Sequence, residues 1–243
     1  MVFGVYRPQD ASVLKTHRRT GLAKENRAFT LLVAMTEIAH VLSHPLAQSF
    51  LTDIRDKNSD RAIVRSRIRA LSVLLFYEAT RDLPQSPMKV TTLLAETTGA
   101  HVGARVGLVP ILRAGLGMVD GILEFLPEAH VFHLGLFRDE KTLEPVEYYS
   151  RFSQHKPVDI AFVLDPMLAT GGSACVAVAR LKKWGVKKIK YLGLFAAPEG
   201  IKKLSETHRG VEIYLGAIDS HLNQRGYIVP GMGDAGDRQF SGE

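Results

Sequence analysis

Phe162-Val163-Leu164-Asp165 places a carboxylate at the end of an apolar run, and Thr170-Gly171-Gly172-Ser173 follows across a short loop. The residues beyond have the pattern of a helix. Ala174, Val178 and Leu181 share one face, Lys182 and Lys183 fill the last turn, and Gly185 stops it after Trp184. The first turn of such a helix has N–H groups without partners and a partial positive charge. Gly171 and Gly172 let an anion approach those groups, and the Thr170 and Ser173 hydroxyls add donors. Asp165 stands at the carboxyl end of its strand, where open α/β sheets take ligands, and suits hydrogen bonds from sugar hydroxyls beside a phosphate. The chemistry indicated is the grip of a phosphorylated sugar. The pattern G-x-x-x-x-G-K-[ST] is absent, which disfavours a nucleotide kinase or ATPase.

Such a loop needs a sheet behind it. Short, nearly continuous apolar runs occur at Val106–Leu112, Val131–Phe137, Ile160–Leu164, Ile189–Ala197 and Val211–Ile218, alternating with helix-like stretches at 114–126, 172–184 and 200–208. Strands apolar on both faces and separated by helices predict an α/β fold, a mostly parallel sheet flanked by helices. Towards the N-terminus, Phe29, Leu32, Val33, Thr36, Ile38, Ala39 and Leu42 fall at helical spacing, and His44-Pro45 is expected to close that helix. Asp60 reads as the N-cap of a second helix running through Ile63, Ile68, Leu71, Leu74 and Leu75, and Pro84 and Pro87 mark a loop. Neither a repeat nor a linker after residue 43 is evident. One domain over 29–243, with a helical N-terminal elaboration, is expected.

Composition bounds the alternatives. The 243 residues are 46% hydrophobic and 23% charged, which suits a folded globular chain. A single cysteine, Cys175, excludes an internal disulfide and a cysteine-based zinc cluster, and is expected to be a small buried residue rather than an activated thiol. No apolar stretch approaches the ~18–20 residues of a membrane span, and no apolar leader opens the chain, so a cytoplasmic protein is expected. The net charge is +6, but residues 1–30 hold six basic and two acidic residues, leaving a nearly neutral body. Residues 1–28 read as a basic extension of the kind that is commonly flexible, not as a nucleic-acid groove.

The segment Asp165-Pro166-Met167-Leu168-Ala169-Thr170-Gly171-Gly172-Ser173 resembles the phosphoribosyl pyrophosphate (PRPP) motif of type I phosphoribosyltransferases. Its form is similar to that of the uracil phosphoribosyltransferase family, in which Pro166 stands where most of the superfamily has a second acid. The resemblance extends to Arg55-Asp56-Lys57, Val109–Met118, Arg138-Asp139, Thr142–Tyr149, Ala196–Gly200 and Gly226–Arg238. It runs from about Ser43 to the C-terminus. It implies transfer of a phosphoribosyl group from PRPP to uracil, forming UMP and diphosphate. It also implies PRPP contacts from Arg113, Arg138, Asp234 and each residue from Asp165 to Ser173, and uracil contacts from Tyr227, Ile228, Gly233, Asp234 and Ala235 in a C-terminal base-binding loop.

Arg113, Arg138 and Asp234 are the residues the resemblance puts nearest the chemistry. Both arginines follow apolar strands, and a planar guanidinium can engage phosphate oxygens in pairs. Mg²⁺ is expected to arrive with PRPP, no dedicated protein metal cage is expected, and GTP is a possible activator. A homodimer or homotetramer is expected, with no nucleic-acid or membrane partner. Two departures stand out. The residues before the match lie outside the family pattern, and Gln239-Phe240-Ser241-Gly242-Glu243 differs from the family's usual Phe-Gly-Thr ending.

Rival readings are weaker. Gly115-Leu116-Gly117 opens a helix after a strand, as in dinucleotide-dependent oxidoreductases, but the spacing is G-x-G-x-x-x-G. Gly231-Met232-Gly233-Asp234-Ala235-Gly236 matches G-x-G-x-x-G with too little chain after it for a βαβ unit. Two further alternatives are a transferase for another base and a regulatory protein of the same fold that binds RNA or nucleotides. Asp139–Tyr149, acidic and aperiodic around Pro145, reads as a flap over the site, as a surface hairpin, or as both.

Overall fold

Ile160–Leu164 is buried at every position, and its side chains divide by parity: Ile160, Phe162 and Leu164 enter one core, Ala161 and Val163 the other. That division makes it a central strand with both faces covered. A computed structural model describes residues 38–138, 145–150, 152 and 156–241 of the chain. Among them the strands are β1 (Ala39–Val41), β2 (Gln85–Thr91), β3 (Glu96–Val102), β4 (Val106–Leu112), β5 (His130–Val131), β6 (Leu134–Arg138) and β7 (Pro145–Ser150). Then come β8 (Ile160–Leu164), β9 (Met167–Leu168), β10 (Lys188–Ala196), β11 (Glu212–Ile218), β12 (His221–Leu222) and β13 (Ile228–Val229). The main sheet runs β1-β11-β10-β8-β4-β6-β7, with β5 beside β4 and β9 beside β10. Every pairing in it is parallel except β6 with β7.

Helices cover both faces. Helices α1 (Pro45–Arg55), α2 (Arg61–Ala79) and α3 (Val119–Phe125) pack on one side, contributing Leu51, Ile54, Ile68, Leu71, Leu75 and Ile122 to its core. Helices α4 (Gly172–Trp184) and α5 (Pro198–Thr207) pack on the other through Val178, Leu181, Ile201 and Leu204. A last short helix, α6 (Ala235–Phe240), follows the C-terminal loop. Asp60 caps α2 as its sequence indicates, accepting a hydrogen bond from the Ile63 N–H at 2.8 Å.

Several expectations are corrected. Ala39–Val41 is a strand, in parallel register with Ile213–Leu215, and is not the end of a helix; Phe29 to Thr36 lie outside the described residues. His44-Pro45 opens a helix where it was expected to close one. Proline lacks only an N–H that the first helical position leaves unpaired, and the His44 ring accepts from the Leu46 N–H at 3.2 Å. The stretch expected as a loop around Pro87 is a two-stranded arm, β2 with β3, whose tip leaves Leu93 and Leu94 fully exposed. The 131–137 run breaks into β5 and β6. The 114–126 stretch starts as a 3₁₀ turn (Ala114–Met118) before α3, and it lies so close to β8 that a side chain at Gly115 would meet the Leu164 carbonyl at 2.3 Å.

One buried charge was not expected. Lys190, in β10, has 1% of its side chain exposed and donates to Asp82 Oδ1 at 2.7 Å and to the Ala79 carbonyl at 2.8 Å. Glu212 lies 3.2 Å away, and Lys188 pairs with Asp82 as well. The two lysines hold the Asp82 carboxyl down at about 2.

Candidate active site

At the carboxyl ends of β4 and β8 two clefts meet, of about 170 Å³ and 1080 Å³. They share Asp165, Ser173, Tyr227 and Asp234. The smaller is walled by the loop after β8, the N-terminal turn of α4 and the C-terminal loop. Gly171 takes the left-handed conformation (φ 77°) as N-cap of α4, and no side chain caps that helix. The Thr170 hydroxyl lies 3.5 Å from the Gly172 nitrogen, so the opening amides keep their capacity for an anion.

The loop is held from behind. A side chain at Gly171 would meet the Gly200 carbonyl at 2.9 Å, and one at Gly200 would meet the Ala169 carbonyl at 2.5 Å. The segment Ala196–Gly200 therefore supports the anion turn by close backbone approach. From the front, Pro145 at the start of β7 reaches within 3.3 Å of where a Gly172 side chain would stand.

Asp165 projects into both clefts with little support. Among the described residues its carboxylate accepts only the Met167 N–H, at 3.3 Å, and burial pushes its pKa up to about 7. The Tyr191 hydroxyl donates to its backbone carbonyl at 3.0 Å, fixing the strand end without neutralising the acid. A desolvated carboxylate of this kind gains most when hydroxyl groups reach it.

Arg113 directly follows β4 and lines the larger cleft. Its guanidinium meets Asp237 at 3.1 Å, with both side chains about half exposed, so the pair is weak and readily exchanged for a phosphate. Asp234 caps α6, accepting from the Asp237 N–H at 2.9 Å, and borders both clefts. Gly233, with φ 82°, and Ala235 line the smaller cleft beside Tyr227 and Ile228. The Ile228 side chain is buried in the core, which leaves its backbone to face a ligand. Asn223 orients Tyr227, its side chain accepting the Tyr227 N–H at 3.0 Å.

The sequence-derived site residues thus come together, with two exceptions. Pro166 is buried away from the cleft wall, its carbonyl accepting the N–H groups of Leu194 and Phe195. The Arg138 side chain and residues 139–144 of the expected flap lie outside the described residues, while 145–150 form β7. Cys175 is buried, as expected, and burial pushes its thiol up.

The roles of two groups around the site escaped sequence reasoning, although Arg55 stands in the Arg55-Asp56-Lys57 segment of the resemblance. Arg55, at the end of α1, makes a paired contact with Asp219 and reaches the C-terminal loop. Gln239 is fully buried and its amide donates to the carbonyls of Ala114 (3.0 Å) and Ala235 (2.8 Å). Those bonds tie the turn after Arg113 to the base of the C-terminal loop. Among the described residues its Oε1 finds no hydrogen-bond partner, and it lies against Gly117, where an added carbon would stand 1.8 Å away. The unusual Gln239 in the chain's ending was the only signal for that tie.

Comparison with known proteins gives the same arrangement a lineage. A family model described as uracil phosphoribosyltransferase matches residues 41–242. A protein of that name from Roseiflexus castenholzii is 54% identical over 200 residues, covering 82% of this chain and 96% of its own. One from Lactiplantibacillus plantarum is 51% identical over 205 residues, covering 82% and 96%. Among solved structures, the AQ2163 protein of Aquifex aeolicus is similar at a TM-score of 0.79 with 39% identity, covering 83% of this chain and 97% of that one. An adenine phosphoribosyl transferase from Trypanosoma brucei shares the fold at a TM-score of 0.50, with 11% identity over 74% of this chain and 82% of its own.

Proposed function

The chain belongs to the uracil phosphoribosyltransferase family, and from that premise we propose that it joins uracil N1 to C1′ of PRPP, releasing diphosphate and forming UMP. The observation that carries this reading is the uncapped amide turn at Gly171–Ala174 beside the desolvated acid Asp165, facing the Gly233–Ala235 loop across one cleft. The amide turn takes the 5′-phosphate, and Asp165 accepts the ribose hydroxyls. Arg113 turns from Asp237 to the diphosphate, joined by Arg138.

The bond from C1′ to the diphosphate oxygen breaks as the N1–C1′ bond forms, and the N1 proton leaves. Positive charge grows on the ribose and negative charge on the diphosphate. Guanidinium groups fixed at the departing oxygens therefore favour the transition state over the bound substrate. Asp234, which borders both clefts, is assigned to accept the proton that N1 gives up.

Uracil presents one N–H between two carbonyls, a pattern that backbone groups at Ile228 and Gly233–Ala235 complement. A base with another pattern leaves buried polar groups unpaired and is rejected. Mg²⁺ belongs to the PRPP substrate, where it neutralises diphosphate charge. Asp165, a carboxylate oxygen donor at the cleft, is of the kind that would share an ion carried by substrate oxygens. The exposed arm, with Leu93 and Leu94 at its tip, supports assembly into a homo-oligomer; sedimentation of a Leu93→Ser, Leu94→Ser variant as a smaller species is the expected result. Among the described residues no helix is long and apolar enough to cross a membrane.

The deciding experiment incubates the protein with PRPP, Mg²⁺ and each free nucleobase in turn. Diphosphate is expected to appear with uracil. Equal release with another base, or none with uracil, overturns the assignment.

A further inference from the structure

We propose that Arg55 and Asp219 are positioning residues for base recognition, acting through Gly231 at the start of the C-terminal loop. The inference rests on the transferase reading above and asks what makes a backbone-built base site accurate. Recognition by main-chain groups works only if those groups stand within a few tenths of an ångström of hydrogen-bonding geometry. Yet the loop that supplies them is rich in glycine, the residue least able to hold its own conformation.

The geometry at Gly231 answers that difficulty. Its N–H donates to Asp219 Oδ2 at 2.8 Å, and its carbonyl accepts from Arg55 Nη1 at 3.0 Å. The two holding groups are locked to one another, Nη1 to Oδ2 at 2.9 Å and Nη2 to Oδ1 at 2.6 Å. Both polar groups of one residue are thus held by a single planar ion pair. The Asp219 side chain is 4% exposed and that of Arg55 27%, and the Arg55 guanidinium lies over the Phe195 ring at 4.3 Å, so the carboxylate is shielded from water and the partly buried guanidinium is fixed in plane.

The clamp acts where glycine is required. Gly231 has φ 55°, and a side chain there would meet the Ile228 carbonyl at 2.3 Å. Two and three residues further on are Gly233 and Asp234, on the cleft wall. From the same neighbourhood Arg238 donates to the Ile54 and Met232 carbonyls, so the end of α1 grips the loop at two points. Arg55 itself does not line either cleft at Asp165, and its effect on a base is through the loop.

The test compares Arg55→Met and Arg55→Lys with the unaltered protein. The methionine variant is expected to raise the KM for uracil by about tenfold or more while the KM for PRPP stays within about twofold. Lysine, which keeps the charge and one donor but not the fork, is expected to recover part of that loss. Parallel rises in both constants, unchanged uracil KM, or a lysine variant no better than methionine overturns the proposal. A second measurement does not depend on turnover. Hydrogen exchange of the Gly231–Asp234 amides is expected to quicken in Arg55→Met while the amides of α4 are unchanged. Exchange that quickens everywhere, or nowhere, counts against the clamp even if the methionine variant is too unstable to assay. If the unaltered protein forms no UMP, the transferase reading fails separately, and exchange alone decides on the clamp.

Discussion

The two ends of the main sheet each carry an acid out of its ordinary range, and they are displaced in opposite directions. At the amino end, Asp82 is surrounded by Lys188, Lys190 and the start of β10, and its carboxyl is held down at about 2. At the carboxyl end, Asp165 accepts one long N–H bond and, among the described residues, pairs with no cation, and burial lifts it to about 7. Satisfied polar groups hold a structure in place; an unsatisfied acid with open space beside it is a site kept ready for a ligand's donors. The same backbone therefore invests one end in stability and leaves the other underbonded for chemistry.

Substitutions can break this contrast. The largest effect is expected from Arg113→Ala, which removes a diphosphate contact at the active end: turnover should fall by about two orders of magnitude, with an unchanged melting temperature. Near-normal kinetics would detach Arg113 from catalysis. Next is Asp165→Asn, which should weaken PRPP binding by about tenfold or more in calorimetry, yet raise the melting temperature of the unliganded protein at pH 8. A loss of both, or of neither, would mean that Asp165 is structural.

Asp82→Asn should do the reverse. It takes from the Lys190 ammonium one of its carboxylate partners, leaving Glu212 and the Ala79 carbonyl, at a cost of about 1–3 kcal/mol in denaturant unfolding, while the activity of the folded fraction stays intact. The smallest effect is expected from removing residues 1–28, which should move neither PRPP affinity nor melting temperature; a collapse of activity would give that extension a role at the site.

Titration sharpens the same contrast. A raised carboxyl takes up a proton on folding, so Asp165 adds most stability below its unfolded value of 3.8 and loses it as pH climbs to about 7. Asp82 has a lowered carboxyl, so its contribution is present above 3.8 and is lost as pH falls towards about 2. Melting temperatures of the unliganded protein should decline between those upper two values, and the decline should vanish in Asp165→Asn. PRPP affinity, corrected for the ligand's own ionisation, should strengthen over the same range.

Local signals made much of the active end legible. The limits of α4 and the Thr170–Ser173 turn follow from glycine, cap and cation positions within one short segment, and so did the central strands, whose unbroken apolar runs admit little else. What was missed depended on distant partners. Ala39–Val41 is a strand only because β11 lies beside it, and the β2–β3 arm has almost no buried face to produce a pattern. Arg55 and Asp219 are 164 positions apart, and the Lys190 ammonium within a strand gains its partners only when α2 packs.

Gly117 and Gln239 form one fitting made in two pieces. A methyl group at 117 would occupy the space of the Gln239 oxygen, and a shorter residue at 239 would abandon the carbonyls of Ala114 and Ala235. Neither position is free to vary alone. A change at one of them is tolerated only with a matching change at the other, so the two behave as a single unit of sequence.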